Sequence, residues 1–166
     1  MGLFNWFKAL ASGKPEGGAA ATDNPPAVAA PTAEVQDDPE SGVIAGLNFK
    51  SAIDAHMKWK LRLERCISDD NQEKLKVDVV SRDDQCPLGV WIHGPGGQRF
   101  GHMREFQEMK MEHARFHLSA GDVLACCLAG DKEGASDKLR AGDYTRTSER
   151  VKLHLARLYV QLSEKD

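Results

Sequence analysis

An all-α fold, an antiparallel helical bundle of four-helix-bundle type, is predicted by two observations. Apolar residues recur at spacings of three and four over three long stretches, and glycine and proline punctuate the chain between those stretches. Phe49, Ile53, His56, Trp59, Leu63 and Ile67 form the first stripe and predict a core helix over about residues 43 to 68. A polar stretch then leads through Leu75 and Val77 to Val80, whose short apolar run fits either a helix or an extended segment. Pro87 suits the first turn of a helix, with Asp83 and Asp84 ahead of it as capping side chains. Gly94-Pro95-Gly96-Gly97 reads as a loop. Met103, Phe106, Met109, His113, Phe116, Ala120, Val123 and Cys127 make the longest stripe, a helix to about residue 129 that Gly130-Asp131 ends. A short helix over residues 135 to 141 follows. Tyr144, Ser148, Val151, Leu155, Leu158 and Leu162 give the last one.

Composition divides the chain unevenly. Residues 1 to 42 hold two of the 22 basic residues and six of the 25 acidic ones, with five of the seven prolines. Much of the rest of that segment is alanine and glycine, so residues 11 to 42 read as a disordered acidic linker ahead of a folded unit from 43 to 166. Before the linker, Leu3, Phe4, Trp6, Phe7 and Leu10 concentrate apolar surface in residues 1 to 10, which reads either as a frayed tail or as a short amphipathic segment that docks on a partner groove or touches a membrane surface. There is no apolar run of eighteen residues and no secretory pattern, so no transmembrane segment is expected. The net charge of -3 gives no reason to expect nucleic acid.

The histidines and cysteines carry the chemistry. His113 and His117 stand four apart on one helix face, so both imidazoles can address one ion. Cys86 lies at a helix start, where unpaired N–H groups favour the thiolate that binds metal and reacts with oxidants. Cys66 comes ten residues after His56, and Cys127 ten after His117. At about 1.5 Å per residue, each is roughly 15 Å from its own histidine, beyond any shared metal bond. Cys86 is left as the cysteine free to join His56, His113 and His117 in one tetrahedral site, a zinc set. Four cysteines in such a chain do not suggest a disulfide scaffold. Cys66, Cys126 and Cys127 are read as small buried hydrophobes, and Trp59 and Trp91 most simply as core aromatics, the alternative being that they wall the site. His93, His102 and His154 receive no ligand role.

His56-x-x-Trp59-Lys60, Asp83-Asp84-Gln85-Cys86-x-Leu88-Gly89-x-Trp91, His113-x-x-Phe116-His117 and Gly142-Asp143-Tyr144 to Ser148-x-x-Val151 together resemble the chemoreceptor zinc-binding (CZB) domain family, over roughly residues 49 to 162. The resemblance implies Zn2+ ligation by His56, Cys86, His113 and His117. It also implies a bacterial, cytoplasmic setting in chemotaxis or cyclic-dinucleotide signalling, and allows a homodimer. Val90 stands where the family usually has a basic residue, a departure that bears on surface contacts.

Two functional classes follow. One is a non-catalytic zinc and oxidant sensor that acts through a partner, with a zinc buffer as the plainer variant; closed four-ligand sites suit both. The other is a zinc hydrolase, which needs a general base. Ala114 occupies the position where zincin chemistry places its glutamate, and Glu112 projects about 100° away from His113, so no enzyme is expected. A carboxylate-bridged metal pair is set aside because the stripes show no inward carboxylates at ligand spacing.

Overall fold

A tight hairpin, rather than the first turn of a helix, precedes the bundle. The computed structural model describes residues 37, 38, 40–70 and 73–164, so the amphipathic segment 1–10 and linker residues 11–36 lie outside it. Strands β1 (Val43–Ile44) and β2 (Leu47–Asn48) pair antiparallel, with Ile44 opposite Leu47. Ala45 and Gly46 form the turn at φ 48° and 79°, both in the left-handed region that a two-residue hairpin requires and a helix forbids. The helix predicted from residue 43 therefore starts later. Asp37 accepts the Ala45 N–H at 2.7 Å, and the Trp91 indole N–H donates to the Ala45 carbonyl at 3.0 Å, fixing the hairpin over the core.

Helix α1 (Phe49–Ile67) is capped by Asn48, whose Oδ1 accepts the Ser51 N–H at 2.8 Å. The ambiguous run at Val77 is one helical turn, α2 (Val77–Val80). In α3 (Pro87–His93) the cap is Cys86 itself, its Sγ accepting the Gly89 N–H at 3.2 Å. The two aspartates expected to cap α3 are engaged elsewhere, Asp83 with His93 and Asp84 with Arg82.

Gly94-Pro95-Gly96-Gly97 is not a loop: α4 (Pro95–Phe100) begins one residue after α3 ends. Proline is tolerated at its first position, and the glycines are there for space. A Cβ on Gly96 would lie 2.4 Å from the Trp91 ring, so the missing side chain lets α4 fold back against α3. The remaining helices follow the stripes: α5 (Arg104–Leu128), α6 (Lys132–Ala141), capped by Asp131 onto the Gly134 N–H at 2.9 Å, and α7 (Asp143–Ser163).

Helix directions follow from the contacts. Glu105 meets His154 and Glu112 meets Arg150, so α5 and α7 run antiparallel along their extensive interface. Phe49 packs on Tyr159 near one end of α1, which therefore opposes α7 as well. His56 lies against Phe116, and Cys66 against Cys127, so α1 and α5 point the same way. The segment holding α2, α3 and α4 carries the chain back between them. Helix α6 packs on α1, α5 and α7 and completes a four-cornered bundle. Phe49, Ile53, Leu63, Phe106, Met109, Phe116, Leu124, Leu155 and Tyr159 fill its centre, all essentially inaccessible.

Two of the cysteines depart from their expected role. Cys66 and Cys127 are joined as a disulfide between the ends of α1 and α5, with their Cα atoms 6.5 Å apart, inside the range a disulfide needs. Cys126 is free and half-buried, packed against the core. Among the described residues no helix is long and apolar enough to cross a membrane.

Candidate metal centre

Three elements deliver the predicted ligands. Helix α1 presents His56, the N-terminus of α3 presents Cys86, and α5 presents His113 and His117 one turn apart. Cys86 Sγ lies 3.3 Å from His113 Nε2. Donor atoms of Cys86, His113 and His117 all fall within 4.8 Å of one another. His56 stands outside that tight group but borders it, its ring centroid 5.4 Å from that of His113 and 4.7 Å from Phe116. All three imidazoles are buried, at 3%, 0% and 2% exposure for His56, His113 and His117.

Backbone carbonyls orient two of the rings. His56 Nδ1 is 3.1 Å from the Ala52 carbonyl, one turn earlier on α1, and His117 Nδ1 is 2.7 Å from the Val80 carbonyl at the end of α2. A carbonyl only accepts, so Nδ1 carries the proton in each ring and Nε2 keeps its lone pair. Those two Nε2 atoms are buried with no hydrogen-bond partner, as is Nδ1 of His113. Unsatisfied buried polar atoms are costly and rare in native interiors. A cation of zinc's ligand preferences suits the donors of Cys86, His113 and His117, which come within 4.8 Å of one another, while His56, with its own partnerless Nε2, borders them outside that limit.

Burial sets the protonation. It pushes His56 down to about 4 and His113 down to about 2, with neighbouring imidazoles adding to the effect, and it lowers His117 against the raising influence of the Val80 bond. All three rings are therefore neutral near pH 7, the form that ligates metal. Cys86 departs from expectation. Burial raises its thiol above the ordinary value and outweighs the lowering by the Gly89 N–H. Donors at the start of a seven-residue helix do not by themselves make it a thiolate.

The walls divide unequally between the two tryptophans. Trp59 is half-buried and meets the His117 ring in a T-shaped contact at 6.2 Å, with the Arg62 guanidinium 3.9 Å from the Trp59 ring centroid. Trp91 is a core residue packed on Phe49, Phe100 and Phe106 rather than on the ligands. Phe116 closes the inner side, touching His56, His117 and Tyr144.

Sequence reasoning missed Val80, Ala52 and Gly121. Only the Ala52 carbonyl was open to inference, since it lies four residues before His56 in the same helix. The Val80 carbonyl reaches His117 because α2 packs tightly on α5. A Cβ on Gly121 would come within 2.0 Å of Ser81 Oγ, so glycine there permits the approach. His93 and His102 are exposed, whereas His154 is half-buried between Glu105 and Glu108.

Comparison with curated proteins and with solved structures gives no match. Residues 56–124, the stretch that contains His56, Cys86, His113 and His117, match the family model of CZB, the chemoreceptor zinc-binding domain.

Proposed function

We propose that this protein is a non-catalytic zinc-binding regulatory module whose local order around Cys86 reports zinc or an oxidant to a partner. One observation carries the reading: Nε2 of His56 and of His117 are buried without partners beside the Cys86–His113 contact, inside the stretch that matches a zinc-binding family. In this reading His56, Cys86, His113 and His117 hold one Zn2+. Bound there, zinc supplies the positive charge that keeps Cys86 as a thiolate and gives the partnerless nitrogen lone pairs a ligand bond.

The residues divide the remaining work. The Ala52 and Val80 carbonyls hold their imidazoles in the ligating tautomer, and Phe116 and Trp59 exclude water. Cys86 is the responsive member, since it caps a helix too short to be stable without tertiary contacts. A peroxide transfers one oxygen to its sulfur, giving the sulfenic acid and releasing hydroxide, which removes the thiolate from the cluster and frees the α3 start. Four protein ligands leave no position for substrate. Glu112, the carboxylate beside His113, is engaged by Arg115 at 2.9 Å and Arg150 at 3.2 Å, which supports a role other than hydrolysis.

The signal passes in trans to a partner, with residues 1–10 as the docking segment and chemotaxis or cyclic-dinucleotide signalling in the cytoplasm as the setting. A zinc buffer is the competing reading; partner binding that does not depend on zinc would favour it. The first test is elemental analysis of the purified full chain. One tightly held zinc per chain is expected, lost or weakened in Cys86→Ala and His117→Ala, and a peroxide response absent in Cys86→Ser. Zinc content unmoved by either alanine change would refute the site.

A further inference from the structure

We propose that Glu105, Glu108 and His154 form a second binding site for a divalent transition-metal ion, separate from the Cys86 cluster and bridging α5 to α7. Glu105 and Glu108 lie three apart at the start of α5, so their carboxylates share one face, and His154 comes from the facing turn of α7. One oxygen from each carboxylate and one imidazole nitrogen all fall within 4.8 Å. His154 Nδ1 is 2.6 Å from Glu105 Oε1 and 3.8 Å from Glu108 Oε2. The first of these is a direct hydrogen bond; bonds of about 2.1 Å to a tetrahedral ion set ligand atoms roughly 3.4 Å apart, so an ion would part His154 from Glu105 by less than about 1 Å and draw Glu108 in.

Burial and charge distinguish the cluster from a surface ion pair. The side chains are only 12%, 20% and 31% exposed for His154, Glu105 and Glu108. The two carboxylates present two formal negative charges beside one imidazole, a balance that one divalent ion neutralises. The other cations nearby sit on the outer side: Arg104 Nε bonds Glu108 Oε1 at 2.8 Å from a largely exposed side chain, and Arg157 acts on Glu108 from a greater distance. Glu108 Oε2 therefore stays available. One nitrogen and two oxygens suit zinc, cobalt or nickel with a further position left for water, so the site is open where the Cys86 cluster is closed.

The inference does not rest on the Cys86 reading, and cobalt(II) separates the two. Titration of the metal-free full chain, followed by metal count and visible absorption, is expected to give two ions, one of which shows the thiolate charge-transfer band. His154→Ala and Glu108→Gln should each remove the bandless ion, or weaken it at least tenfold, while the band is retained. Cys86→Ala should do the reverse. The retained band reports that each variant is folded, and Glu108→Gln preserves side-chain shape. A wild-type chain that takes up only the thiolate-bound ion, or a bandless ion indifferent to both variants, would overturn the second site. A missing band beside a His154-dependent ion would overturn the Cys86 reading alone.

Discussion

Helices α1 and α5 are tied together at two levels, by opposite means. At one level His56 meets His113, His117 and Phe116, and Cys86 joins from α3; at the other, Cys66 and Cys127 are covalently joined. The first leaves buried nitrogens without partners, which in the proposed reading a cation satisfies, while the second closes on its own once oxidised. Cys66 is ten residues past His56, and Cys127 ten past His117, so both helices meet twice at matching heights. In that reading one seam holds a joint sensitive to metal supply and a joint sensitive to thiol oxidation.

Breaking the covalent joint should have the largest effect on stability. The disulfide spans 61 residues of sequence, and releasing a loop of that length is expected to cost about 4 kcal/mol. Urea unfolding of oxidised wild type against Cys66→Ser measures it, with zinc content expected to be unchanged. A simultaneous loss of zinc would show that the two joints are not independent.

Acid should open the other joint, in metal-free protein. His56 has a folded-state value of about 4 against an ordinary 6.5, and burial is the cause. Between those values the unfolded chain binds more protons than the folded one, so stability is full above about pH 6.5 and is lost as pH falls toward 4. The contribution from His56 is on the order of 3 kcal/mol. Zinc-loaded protein should hold its stability to lower pH, because protons must displace the metal first. Identical profiles with and without zinc would place these rings outside the metal site.

A finer probe is Gly121→Ala. The added Cβ would push Ser81 away and take the Val80 carbonyl off His117, which should weaken zinc by about 10- to 100-fold while all four donors remain. Competition with a chelating dye reads the affinity. A normal value would mean that α2 is only packing.

The long helices were legible because a continuous core face leaves a stripe at spacings of three and four; α5 and α7 lie where Phe106 to Cys127 and Tyr144 to Leu162 put them. Short elements were not. Ala45-Gly46 reads as helix until its positive φ angles make a hairpin, and Gly96 reads as loop until the Trp91 ring shows why no side chain is tolerated. For the candidate site, the i and i+4 histidines and the cysteine at a helix start were in the chain itself. The Val80 carbonyl that orients His117 was not, since a backbone acceptor 37 residues away leaves no residue signature.

The cysteine pair marks the boundary most clearly. Spacing along each helix is local geometry, and by itself it excluded Cys66 and Cys127 from the metal cluster. Whether they then meet depends on whether α1 and α5 run parallel, and both directions satisfy the same apolar stripes. The sequence determined the long helices, their core faces and the chemical character of the donors, because these follow from residue type and helical period. Tertiary structure alone decided which helices run together, that the Val80 carbonyl holds His117, and that Glu105, Glu108 and His154 converge, because each of these depends on contacts between residues distant in the chain.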